Sequence, residues 1–96
     1  MKFSELAIGQ KTRRTKKFSG EDVRDFARIS GDMNPIHLDP DAAAKSIFGK
    51  PVVHGMLLNG LISAAIGMDL PGAGTIYLGQ DSSFKSPVFY DDEITV

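Results

Sequence analysis

Gly55-Met56-Leu57-Leu58-Asn59-Gly60-Leu61-Ile62-Ser63-Ala64-Ala65-Ile66-Gly67-Met68 is the stretch on which the fold turns. It reads as a single buried helix, about 21 Å long at 1.5 Å per residue. Apolar side chains occupy nearly its whole circumference, so other elements must cover it on most sides. Polar and small residues interrupt it, and it falls short of the ~20 apolar residues that span a bilayer. Gly60, Ala64 and Gly67, spaced by four and three, form a seam without bulk. That seam admits a sheet or a thin ligand at close range, and both readings stand. A sheet wrapped around a central helix would satisfy the seam and the all-round apolarity together.

Few strands are available to do the wrapping. Lys11 to Phe18 is basic and reads as extended, with its long side chains in solvent. Leu70-Pro71-Gly72-Ala73-Gly74 breaks the chain, after which Thr75 to Gln80 and Ser82 to Lys85 read as one irregular strand. Glu93-Ile94-Thr95-Val96 reads as a terminal strand, reached from Pro87 and Val88 through an acidic turn. Each large side chain left bare forfeits ~1.5–3 kcal/mol of burial. Leu57, Leu58, Leu61, Ile62 and Ile66 cannot all be left so. The expectation is a tight oligomer, or a chain without its later strands.

Two shorter helices precede the long one. Ser19 is placed to cap a helix with Asp22 at the capping-box position, and Gly31 ends it. Val23, Phe26, Ala27 and Ser30 share one of its faces. Asp39-Pro40-Asp41 starts a second helix, expected through Ala42, Ala43, Ala44 and Phe48 and closed by Gly49.

Composition narrows the function classes. With 96 residues the chain makes one domain at most. It has no cysteine, which removes disulfides, thiolate nucleophiles and thiolate metal sites. A net charge of −1 exerts no general pull on nucleic acid. The amino end has no apolar run of the secretory kind, so a soluble cytoplasmic protein is expected. The basic run Lys11-Thr12-Arg13-Arg14-Thr15-Lys16-Lys17 has three readings: a solvated strand face, a partner for cofactor phosphates, or, third, nucleic acid. No aromatic platform interleaves those charges, so no nucleic-acid partner is expected.

The chemistry concentrates in Asp32-Met33-Asn34-Pro35-Ile36-His37. Its carboxylate and imidazole stand five residues apart in a segment that proline keeps from being regular helix. Histidine titrates near neutrality, and a neighbouring carboxylate can orient it or share its work. Asp32 can equally be a residue that hydrogen-bonds its own turn. Asn34 reads as a loop-ordering amide. His54-Gly55 opens the long helix, where free N–H groups and the helix dipole can hold a developing oxyanion. His54 itself reads as a satisfied structural residue slightly more readily than as a direct proton carrier. His37, Asp39 and His54 offer three metal ligands, but no known ligand spacing organises them, so no metal is expected. Ser63 sits mid-helix, unsuited to a nucleophile elbow and better suited to a hydrogen bond with the loop or a ligand carbonyl.

The stretch Phe26-Ala27-Arg28-Ile29-Ser30-Gly31-Asp32-Met33-Asn34-Pro35-Ile36-His37-Leu38-Asp39 resembles the signature of the MaoC-like, (R)-specific enoyl-CoA hydratases. Phe48-Gly49-Lys50-Pro51-Val52-Val53-His54-Gly55-Met56-Leu57 resembles the segment that enters their central helix. Gly79-Gln80, Phe84 and Pro87-Val88 through Asp92 match their later strands. The resemblance implies an α+β hot dog fold, an antiparallel sheet wrapped around a long central helix, in a single domain over residues 1–96. It implies a dimer, or a partner chain that completes the sheet. Family members usually continue beyond Ile94-Thr95-Val96 with further strands, so a fragment or truncated reading frame lacking them is the expectation.

The activity implied is reversible addition of water to a trans-2-enoyl-CoA, giving an (R)-3-hydroxyacyl-CoA, as in fatty acid metabolism. Asp32 and His37 would hold and activate the water, and the Gly55 N–H would receive the thioester oxygen. Asn34 and Ser63 match site-ordering positions. His54 and Gly60 would border the substrate, with the acyl chain along the central helix. Such a step needs no metal and no cofactor. An acyl-CoA thioesterase on the same fold, and a noncatalytic acyl-CoA-binding or assembly half-domain, are the alternative readings.

Overall fold

The structure, a computed structural model, describes residues 1–96. After a single 3₁₀ turn at Phe3–Glu5 the chain reaches β1 (Thr15–Lys17). Helices α1 (Gly20–Ser30), α2 (Pro35–Leu38), α3 (Pro40–Ala44) and α4 (Gly55–Ala64) follow, and β2 (Glu93–Thr95) closes the order. β1 and β2 pair antiparallel with Thr15 opposite Thr95, Lys16 opposite Ile94 and Lys17 opposite Glu93. Reciprocal hydrogen bonds of 3.0 and 2.9 Å between Arg14 and Val96 extend that ladder. The basic run therefore ends in a strand, as its sequence suggests.

α1 forms as its caps require. The Ser19 hydroxyl accepts from the Asp22 N–H at 3.1 Å, and the Asp22 carboxylate accepts from the Ser19 N–H at 3.0 Å. Those bonds hold the Asp22 carboxyl below its usual pKa, outweighing partial desolvation. Gly31 closes the helix at φ 84°, a left-handed turn that glycine adopts without steric cost. The apolar face of α1 delivers Val23 to a core built with Phe18, Val53 and Leu61. Leu57, Leu58, Val88, Tyr90 and Ile94 pack around it. The core thus lies where β1, β2 and α1 meet the first half of α4.

Four expectations are corrected. The long helix does run from Gly55, but only to Ala64 in α form; Ala65–Asp69 wind as a π turn. α3 stops at Ala44 rather than Phe48. There the Ser46 hydroxyl donates to the Ala43 carbonyl at 2.6 Å and accepts from the Phe48 N–H at 3.1 Å, offering the backbone a local alternative to helix. The Asp32–His37 segment is not all loop, because Asn34 caps a helical turn that Pro35 opens, its side chain accepting from the Ile36 N–H at 3.2 Å. His37 consequently rides on α2.

The fourth correction concerns the strand expected over Thr75 to Lys85. Residues 75 to 86 form no strand, and Ile76, Leu78 and Phe84 stand 77%, 93% and 56% exposed. A strand exists only through its neighbour, and nothing pairs with this one. The sheet has two strands and covers α4 in part, as the scarcity of strands in the sequence leads one to expect. A Cβ placed on Gly60 or Gly67 would meet nothing within 4 Å, so the small-residue seam is open. The radius of gyration, 15.7 Å, exceeds the ~12–13 Å of a compact chain this long. No helix is long and apolar enough to cross a membrane.

Candidate active site

Asp32 follows the left-handed Gly31 directly, which swings it off the end of α1. Its N–H donates to the Ser30 hydroxyl at 3.1 Å, and its Oδ1 accepts from the Asn34 N–H at 3.3 Å. The carboxylate is thus tethered to its turn by one oxygen and open to solvent with the other. Both readings of Asp32 hold at once: it orders the turn and presents a free acceptor.

His37 is fixed from three sides. Its Nδ1–H donates to the Val52 carbonyl at 2.9 Å, which leaves the Nε2 lone pair as the free, basic position. Its own carbonyl accepts a hydrogen bond from the Tyr90 hydroxyl. Its ring stacks on His54, with centroids 3.8 Å apart and planes 27° from parallel. Tyr90 is itself partly desolvated, and burial pushes its phenol up.

His54 lies underneath, 1% exposed, at the N-cap position of α4. Its Nε2–H donates to the Asp32 main-chain carbonyl at 3.1 Å, and the edge of Phe26 meets its other face at 4.8 Å. Burial lowers its pKa despite that carbonyl, so the ring is neutral at pH 7. Because His54 does not cap α4 with its side chain, the first N–H groups, at Gly55 and Met56, have no hydrogen-bond partner.

His37, Asn34 and Gly55 line a cavity of about 370 Å³ whose apolar walls include Phe48, Leu58 and Phe84. That volume lies within the range of small-molecule sites. One ligand atom from each of Asp32, His37 and His54 lies within 4.8 Å of the others. His37 and the unpaired N–H of Gly55 therefore meet at one hollow, and the Asp32 carboxylate lies close to His37 without lining it. Such a set can take a proton from water and stabilise negative charge on a carbonyl oxygen.

Not every expected residue joins it. Ser63 and Gly60 face a separate hollow of about 550 Å³ with Met56, Asn59 and Leu78, and Phe84 stands between the two as a shared wall. His54 is buried behind His37 and does not line the first cavity, so it cannot touch a substrate there. Asp39, weighed as a metal ligand, instead caps α3 by accepting from the Asp41 N–H at 2.9 Å. Asp32 takes its place beside the two histidines, one potential ligand atom from each lying within 4.8 Å of the others. None of Lys11 to Lys17 reaches the cavity wall. Arg14 binds Asp69 through two bonds of 2.8 and 3.1 Å, and Lys16 lies 5.7 Å over the Phe18 ring.

Sequence reasoning passed over Tyr90, Phe84 and Lys85. Tyr90 pins His37, and Phe84 packs so closely that a Cβ on Gly55 would come within 2.7 Å of its ring. Lys85 is the only cation on the cavity wall. No local pattern marks these three, since each acts on residues far away in the chain.

The fold and site define a class, an α+β hot dog domain with a carboxylate–imidazole pair beside the start of its main helix. Residues 4–96 match the family model of the MaoC like domain, and the chain belongs to that family. It is 53% identical to an (R)-specific enoyl-CoA hydratase of Aeromonas caviae, over 99% of this chain and 71% of that protein. It is 43% identical to a 3-hydroxybutyryl-CoA dehydratase of Methylorubrum extorquens, over 98% of this chain and 60% of that protein. A solved (R)-hydratase from A. caviae involved in PHA biosynthesis superposes with a TM-score of 0.91 at 54% identity, covering 95% of this chain and 69% of that one.

Proposed function

We propose that this chain catalyses the reversible hydration of a trans-2-enoyl-CoA to an (R)-3-hydroxyacyl-CoA. The observation that carries the reading is the free Nε2 of His37, its tautomer fixed by Val52, on a cavity that also holds Gly55, with the Asp32 carboxylate within 4.8 Å of a His37 ring nitrogen. Water held between Asp32 and Nε2 gives up a proton as its oxygen bonds to the β-carbon. The double-bond electrons move onto the thioester oxygen, which the Gly55 N–H receives. The enolate then re-forms its carbonyl as the α-carbon takes back the proton that the Asp32–His37 pair removed, and the net change is one water added with no redox step. Apolar walls from Phe48, Leu58 and Phe84 suit an acyl chain, and Lys85 suits the negative charge of a CoA group. The names carried by the A. caviae and M. extorquens relatives support the same substrate class.

The reading includes a homodimer acting in the cytoplasm. Exposed Met56, Ile76 and Leu78 beside the open seam of α4 are the surfaces a second copy would cover. Sedimentation at two concentrations tests it, and a monomer at both would rule the dimer out.

Product analysis separates the reaction from its relatives in fold. Incubation with crotonyl-CoA, followed by chiral separation, should yield the (R)-3-hydroxy thioester with its CoA attached. Free CoA would point to a thioesterase, and binding without product to a noncatalytic acyl-CoA module.

A further inference from the structure

We infer that His54 is a positioning residue that ties Asp32 to His37, setting the separation at which the carboxylate and the imidazole share one water. The inference rests on the hydratase reading of this site. Asp32 sits on a solvent-exposed turn, and its side chain bonds only to the neighbouring Asn34 N–H. His37 rides on a separate helical turn. Neither side chain bonds directly to the other, so something else must fix their spacing.

Asn34 bridges them on the turn, its N–H donating to Asp32 Oδ1 at 3.3 Å and its carbonyl accepting from the His37 N–H at 3.0 Å, and His54 bridges them from the buried side. The His54 Nε2–H grips the Asp32 carbonyl at 3.1 Å, while the His54 ring face lies 3.8 Å from that of His37. Phe26 closes the far side at 4.8 Å, leaving the imidazole no room to turn. The next residue is Gly55, which lines the same cavity at the start of α4.

The second observation is a buried atom without a partner. Nδ1 of His54 is sealed from solvent and makes no hydrogen bond. A buried acceptor left unpaired lowers stability, and a phenylalanine would fill the space without that penalty. Core filling alone therefore does not account for an imidazole here. The Nε2–H bond to Asp32 does, because no apolar ring can make it. The absence of an acceptor at Nδ1 also keeps the ring from taking a second proton, so a neutral spacer separates Asp32 from His37.

Two substitutions divide the two functions of the ring. His54→Phe keeps the stack and loses the donor, while His54→Gln keeps a donor at the same reach and loses the stack. On crotonyl-CoA, His54→Phe should lower kcat about 10- to 100-fold with KM within threefold, the scale expected when reacting groups are misplaced by a fraction of an ångström. His54→Gln should recover at least a third of the parent kcat. In parallel, the ¹³C shift of the Asp32 main-chain carbonyl should move in His54→Phe and return towards the parent in His54→Gln. Loss of activity only in proportion to unfolded protein, kcat within twofold in His54→Phe, or no recovery in His54→Gln would each overturn the inference. If His54→Phe fails to fold, His54→Gln alone decides: a kcat below a third of the parent's in folded protein refutes the tie. If the parent does not hydrate enoyl-CoA, the hydratase reading falls, and an unchanged Asp32 carbonyl shift in His54→Phe would refute the tie independently.

Discussion

Residues 19 to 61 and residues 70 to 87 are built on opposite terms. The first stretch holds most of the buried core, every helix cap described above and all the groups that meet at the cavity apart from Phe84 and its neighbours. The second has strand-like composition yet no strand, with Ile76 and Leu78 in solvent. A helix satisfies its backbone from within, whereas a strand borrows its partner from elsewhere. The chemistry sits on the self-sufficient part, and the borrowed part supplies one wall through Phe84.

Stability should divide along the same line. Leu61→Ala removes a side chain 4% exposed in the core and should cost roughly 2–5 kcal/mol, read by urea unfolding. Leu78→Ala, at a site 93% exposed, should change the midpoint within error in dilute protein. Equal losses at the two positions would mean that residues 70 to 87 are packed in solution, and would break the contrast.

The boundary between the regions is testable at Gly55. An added methyl group meets the Phe84 ring at 2.7 to 2.9 Å, so Gly55→Ala must displace Phe84 or shift the start of α4. A loss of about tenfold in kcat/KM is expected from such a displacement. Adding Phe84→Ala should restore part of it if the ring alone is responsible. No recovery would place the damage in the helix start itself.

A smaller effect should appear with pH. His54 has its pKa lowered by burial, so between that value and its ordinary ~6.5 the unfolded chain binds the extra proton and the folded chain does not. Stability conferred by the neutral ring is complete above ~6.5 and falls as pH drops towards the lowered value. The urea midpoint should therefore decline between pH 7 and pH 5, and His54→Phe should flatten that decline. An equal slope in the variant would assign it to other groups.

What was legible in the sequence follows the range of each interaction. Ser19, Asp22 and Gly31 announce α1 because cap and partner lie within a few residues. Asp32, His37 and Gly55 were readable as a site from residue type and spacing, and the structure brings them to one cavity and its edge. Asp39 was readable as the start of α3 from the proline that follows it, and it does cap that helix. Ser46 shortened α3 by a side-chain bond that composition does not reveal. The stacking of His54 on His37 spans 17 residues and the Tyr90 bond spans 53, so neither leaves a local pattern. Ser63 and Gly60 follow helical periodicity onto α4, but Phe84 stands between their hollow and the one lined by His37 and Gly55, and that division depends on a distant loop.

The central claim is that Asp32 and His37 act together on a water beside Gly55. Its most direct test follows loss of the enoyl-thioester absorbance of crotonyl-CoA with the parent chain, Asp32→Asn and His37→Ala under the same conditions. The parent should turn over, and each variant should lose roughly 10²–10⁴-fold in kcat while remaining folded. Turnover undiminished in both variants, or none by a folded parent, would contradict the account.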